Sequence, residues 1–155
     1  MRRSDREIKD KTMIEKLIAG EQVLRIAFYD EGDIYIVPVN YGYLYANDKY
    51  TFYFHGAKGG RKYELSRSEP LVGFEIDGKY KVLESESACN FSVSFQSIIG
   101  TGALHLIEKN EEKRNALNAI MKQMANREEW NYSIEMLNAV AVFQLDVEKI
   151  SCKAK

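Results

Sequence analysis

Residues 23–55, VLRIAFYDEGDIYIVPVNYGYLYANDKYTFYFH, decide the fold class. Three runs rich in β-branched and aromatic residues, Val23 to Tyr29, Ile34 to Tyr45 and Tyr50 to His55, are separated by Asp30-Glu31-Gly32-Asp33 and Ala46-Asn47-Asp48-Lys49. Links this short and polar are turns, and they make neighbouring strands run antiparallel. Further along, Leu71 to Asp77 predicts a strand ended by Asp77-Gly78-Lys79. Phe91 to Leu106 predicts another, with Phe91, Val93, Phe95, Ser97 and Ile99 on one side. Val140 to Ile150 alternates with Ala141, Phe143, Leu145 and Val147 on one face.

Helices flank these strands. Ser4 and Glu7 have the form of a capping box ahead of Ile8, Ile14, Leu17 and Ile18, and Gly20 is placed to stop that helix. Arg61 to Ser68 predicts a short helix before Pro70, and a longer one from Asn110 carries Leu117, Ile120, Met121 and Met124. Glu84-Ser85-Glu86-Ser87 is polar and predicts an exposed loop or edge. No linker, repeat or low-complexity tract divides the chain, so residues 1–155 are expected to form one domain. The expected architecture is mainly β with flanking helices, a six-stranded antiparallel barrel. A barrel that small is filled by its own side chains, so a ligand is expected outside it or between subunits.

Composition narrows the function. Twenty-two basic and 23 acidic side chains give a net charge of -1, which argues against nucleic acid as a partner. The absence of a long apolar run or an apolar leader argues against a membrane, and two isolated cysteines, Cys89 and Cys152, suit a reduced cytoplasm. His55, His105, Cys89 and Cys152 lack any usual zinc spacing, so no metal site is expected.

Three segments could carry chemistry. In Tyr53-Phe54-His55-Gly56-Ala57-Lys58-Gly59-Gly60-Arg61-Lys62 a strand ends, glycines follow, and three cations fall where a helix begins. Glycines let backbone N–H groups approach an anion, and Arg and Lys bind phosphate oxygens with charge-assisted bonds. A solvated turn with surface lysines would carry the same residues, and the segment alone leaves both readings open. It is neither a Walker A loop nor GxGxxG. In Ile36-Val37-Pro38-Val39-Asn40-Tyr41-Gly42-Tyr43 a proline marks an edge or interruption, which an ordinary edge strand also explains. In Phe95-Gln96-Ser97-Ile98-Ile99-Gly100-Thr101-Gly102 two glycines indicate a close approach or a bulge that merely bends the wall.

Taken together, "VPVNYGY", "YFHGAKGGRK" followed by "EP", and "SIIGTG" resemble the sequence blocks of the nitroimidazole-resistance flavoproteins. Those belong to the pyridoxamine 5'-phosphate oxidase-like, FMN-binding split-barrel superfamily. The opening "MRRSDREI" and the strand "VLRIAF" are similar too, so the likeness spans nearly the whole chain. Two positions depart from the pattern: Phe95 stands where a Tyr is usual, and Ile98 where Val is usual.

The resemblance implies a split-barrel homodimer with flavin mononucleotide (FMN) in clefts between the subunits. By position it implies that Arg61 and Lys62, with Lys58 nearby, hold the FMN phosphate, and that His55 and Gly56 line the cofactor. The backbone of Pro38, Val39, Asn40 and Tyr41 would run beside the isoalloxazine ring. Ser97 and Ile98 would approach from a later strand, including that of the other subunit. His55 would be the candidate catalytic acid, or a residue that only hydrogen-bonds cofactor or backbone. The implied activity is reduction of a small electron-poor substrate such as a nitroaromatic. The alternatives are a flavin or haem binder without turnover, and the vitamin B6 oxidase reaction. That last enzyme's substrate-phosphate residues have no counterpart in Ser151-Cys152-Lys153-Ala154-Lys155.

Overall fold

The computed structural model describes residues 4–127 and 129–155. Met1, Arg2 and Arg3 of the opening block therefore lie outside the described residues. A single-turn 3-10 helix, Ser4–Arg6, leads into β1 (Glu7–Ile8) and α1 (Lys11–Gly20). The strands β2 (Val23–Asp30), β3 (Asp33–Asn40), β4 (Gly42–Ala46) and β5 (Lys49–Ala57) follow, then α2 (Arg61–Ser66) and β6 (Leu71–Leu83). A second 3-10 turn, Ala88–Asn90, precedes β7 (Ser92–Ile107), and α3 (Asn110–Ala125), α4 (Ile134–Ala139) and β8 (Val140–Ala154) close the series.

All strand pairs are antiparallel, in the order β3-β2-β6-β7-β8-β5-β4, with β1 beside β8. The expected class holds, with eight strands in place of six. One addition is the two-residue β1. The other arises because the run Ile34 to Tyr45 is two strands, β3 and β4, which end the sheet order on opposite sides. The break falls at Tyr41, whose ring is buried and whose hydroxyl donates to the Ile18 carbonyl at 2.6 Å. Gly42 then passes so close to α3 that a Cβ would lie 2.2 Å from the Ala119 carbonyl carbon.

Both predicted hairpin turns form. Glu31 and Gly32 have φ of 50° and 103°, and Asn47 and Asp48 have 52° and 61°. Positive φ at both central residues matches the twist of the flanking strands. The expected stop at Asp77-Gly78-Lys79 is instead a register shift inside β6, with Lys79 at φ 50°. The Ser4 capping box does not start α1; Asp10 caps it by accepting the Met13 N–H at 2.9 Å. Glu7 instead opens β1, which pairs with Lys153 and Cys152 of β8.

The barrel interior holds Ile26, Phe28, Phe52, Phe54, Phe74 and Phe143, with Ala141, Leu145 and Val147 facing inward as their alternation predicts. On β7 the core takes Ile98 and Leu104, so the side shared by Phe91 and Ile99 faces outward. A second cluster outside the barrel packs Ala116, Leu117 and Ile120 of α3 on Ile107, Leu137 and Val142. Cys152 is buried in the barrel and Cys89 is exposed. Among the described residues no helix is long and apolar enough to cross a membrane.

Candidate functional site

The glycine-rich segment joins β5 to α2, and it gives its cations unlike surroundings. Gly56, without a side chain, leaves room for Lys62: a Cβ there would lie 2.9 Å from Nζ. The ammonium sits 5.4 Å from the Phe54 ring centroid and 5.2 Å from that of Phe143. Those rings stack at 4.7 Å and 9°. Lys62 is half-buried, burial pushes its pKa down, and no carboxylate pairs with it among the described residues.

Arg61 is bound differently. Its Nε and Nη2 both reach Oδ2 of Asp30 at 2.7 Å, and its guanidinium lies 4.8 Å from the Tyr35 ring centroid. Two of its five N–H groups are thereby committed and the others remain for a ligand. Lys58 is exposed on the loop. Burial first, and then the Lys58 charge, lowers the pKa of Lys113, a buried α3 residue whose Nζ donates to the Leu137 carbonyl at 3.4 Å.

His55 precedes Gly56 at the exposed end of β5. Surrounding protein mass, and then the Lys62 charge, hold its pKa below the usual histidine range. It is therefore mainly neutral near pH 7, a hydrogen-bond partner before it is an acid.

β3 ends the hydrogen-bonded order, so one of its edges carries main-chain groups without a strand partner among the described residues. Val39 and Tyr41 bury their side chains and offer a neighbour backbone only, whereas Pro38 and Asn40 face outward. The Asn40 amide nitrogen donates to the Gln22 carbonyl at 3.0 Å, pinning the end of β3. Tyr35, against Arg61, is three residues before Pro38 on this strand, roughly 10 Å away. Through Tyr35, Arg61 thus stands beside the strand that carries the open edge.

Ser97 and Ile98 do not join these cations within one chain. Ser97 pairs with Lys153 of β8, whereas His55 pairs with Val142 of the same strand. Those two rows are about 36 Å apart along β8. Ile98 is fully buried, leaving only its backbone to a ligand, and Ser97 is half-buried on the outward face. The glycines that follow serve packing. A Cβ on Gly100 would lie 2.3 Å from both the Phe74 ring and the Lys149 carbonyl, and the β7–β8 register shifts between Thr101 and Gly102.

Asp30, Tyr35, Phe54 and Phe143, which hold the two cations, carry no mark of that role in the sequence. Asp30 reads as a turn residue and the rings read as core, and nothing in the linear order ties them to residues 61 and 62.

An antiparallel split barrel with flanking helices and a cationic loop beside an open strand edge defines the class. Residues 10–154 match the family model of pyridoxamine 5'-phosphate oxidase, and the chain belongs to that family. Among solved structures it is similar to a Bacteroides thetaiotaomicron protein provisionally assigned as a 5-nitroimidazole antibiotic resistance protein. The two are 30% identical, with a TM-score of 0.81 over 96% of this chain and 86% of that one. The fold is also that of the flavocytochrome Anf3 from Azotobacter vinelandii, at 18% identity and TM-score 0.81, covering 100% and 72% of the two chains. An FAD and haem binding protein from Mycobacterium smegmatis shares it at 15% identity and TM-score 0.83, covering 97% and 73%. No curated protein matches the sequence.

Proposed function

We propose that this chain binds FMN as a homodimer and reduces a small electron-poor substrate such as a nitroimidazole. The observation that carries the reading is Lys62, a half-buried ammonium seated on aromatic rings with no carboxylate partner among the described residues. An unpaired cation in that setting is costly to bury and gains from a bound anion. Cβ positions at Gly59 and Gly60 meet nothing within 4 Å, so the loop backbone is open to a phosphate. The donor set fits the phosphate of a flavin: Lys58, Arg61 and Lys62 would hold it.

The edge of β3 at Pro38, Val39, Asn40 and Tyr41 would lie along the ring. Ser97 and the Ile98 backbone would come from the second copy, since the cationic end of their own chain is far from them. FMN supplies hydride and electron transfer when bound, and the protein supplies position, charge and exclusion of water. His55, neutral beside Lys62, would orient the substrate and deliver a proton once an anion offsets the Lys62 charge. The similarity to the Bacteroides protein, whose assignment concerns a nitroimidazole, supports this substrate class.

The purified protein tests the reading directly. Flavin absorption that bleaches under NADPH and returns on adding a nitroimidazole supports it, and a colourless protein that takes up no FMN refutes it. The Azotobacter and Mycobacterium structures, described as a flavocytochrome and as binding FAD and haem, favour a second reading, a flavin or haem binder without turnover. A Soret band, or flavin that no nitro compound reoxidises, selects it.

A further inference from the structure

We infer that Asp30 and Tyr35 are positioning residues for phosphate recognition, fixing the Arg61 guanidinium on the β2–β3 hairpin; the inference rests on the FMN reading above. Arg61 opens α2, thirty-one residues after Asp30, and the loop before it has open space around Gly59 and Gly60. Left to that loop, a long arginine side chain would sample many rotamers, and ordering it would weaken binding. Three contacts remove that freedom in advance. Nε and Nη2 fork onto one Asp30 oxygen at 2.7 Å, and the guanidinium carbon lies 4.8 Å from the Tyr35 ring centroid.

The support belongs to a paired hairpin. Asp30 is the last residue of β2, paired with Asp33 across the two-residue turn Glu31-Gly32. Its side chain is 25% exposed against 47% for Arg61, so the carboxylate is the better-anchored member. Tyr35 is held in turn against Phe28, 5.9 Å between centroids. The hairpin that carries the ring-side edge of β3 therefore also sets where the Arg61 charge stands. Asp30 has a second effect, since its negative charge opposes an incoming phosphate. At this exposure water screens that repulsion strongly, so the loss of order outweighs it when Asp30 is removed.

Affinity for FMN and for riboflavin, which lacks the phosphate, tests the inference in the full-length protein. Asp30→Asn is expected to weaken FMN about tenfold and leave riboflavin unchanged, with Asp30→Glu recovering most of the loss. Tyr35→Phe, which keeps the ring, is expected to bind FMN normally, and Tyr35→Leu to weaken it severalfold. FMN affinity that is unchanged or tighter in Asp30→Asn overturns the positioning role, as does an equal loss for both ligands. Failure of the unaltered protein to bind FMN overturns the functional reading instead, so the two failures are told apart.

Discussion

The Lys62 ammonium stands directly over Gly56, filling the volume that any larger residue there would claim. Its other neighbours are the Phe54 and Phe143 rings, which attract a cation but do not neutralise it. Lys62→Met keeps the length and apolar packing while removing the charge. FMN affinity is expected to fall by about 1.5–3 kcal/mol, the value of a charge-assisted bond, with riboflavin affinity unchanged. Thermal stability without ligand is expected to hold or rise, because an uncompensated half-buried charge has been removed. Titration calorimetry and a melting curve on one preparation check both signs.

For His55, depression of the pKa fixes the direction of a pH effect. The ordinary value is 6.5 and the folded value lies below it, so between the two the unfolded chain holds a proton that the folded chain does not. Acidification through that window is expected to cost stability, with a slope of at most about 1.4 kcal/mol per pH unit. Denaturant titrations across pH 4–7 should show the slope and lose it in His55→Gln. FMN binding, by offsetting Lys62, is expected to raise the His55 titration in NMR.

Turnover separates the two roles of that histidine. His55→Ala is expected to lower nitroimidazole reduction at least tenfold with FMN occupancy nearly full, the size of effect a positioned acid provides. Loss of flavin and rate together would leave His55 with a binding role alone.

Gly42 has a structural role. A methyl group there would enter the α3 backbone at Ala119, 2.2 Å from carbon and 2.3 Å from oxygen. Gly42→Ala is expected to cost about 1–3 kcal/mol, seen as a lower melting temperature with secondary structure retained. Gly20→Ala, where a Cβ meets nothing within 4 Å, serves as the control.

Assembly gives a further test. Tyr29, Ile34, Ile36, Leu71 and Ile99 are exposed on strands β2, β3, β6 and β7. These residues share the outer sheet face with the Arg25, Glu75 and Asp77 charges, and a second copy is expected to cover it. Light scattering should give twice the 17.9 kDa chain mass. FMN at a hundredfold excess over its dissociation constant should add about 2.7 kcal/mol of stability.

Much of this was legible in the chain because it depends on neighbours in sequence. The turns at Asp30–Asp33 and Ala46–Lys49, the outward and inward faces of β8, and the loop before Arg61 all follow from local residue chemistry. What escaped depends on distant partners. Ser4 and Glu7 spell a helix start, but β1 pairs with the far end of β8 and leaves capping to Asp10. Gly78 and Lys79 spell a turn, yet β7 continues alongside and absorbs them as an irregularity. Lys58, Arg61 and Lys62 look alike in sequence. Only the fold gives one a carboxylate, one a pair of rings, and one neither.

β8 has a consequence for how the molecule comes to exist. It lies between β7 and β5 and also meets β1, joining the beginning of the sequence to its last strand. Until residues 140–154 are available, β5 and β7 have no partner on the edges that β8 occupies, and the sheet halves β3-β2-β6-β7 and β5-β4 are not hydrogen-bonded to each other. Long-range pairing of this kind slows folding, because loop closure precedes its reward. A ribosome making this protein would thus hold an unclosed sheet until residues 140–154 emerged.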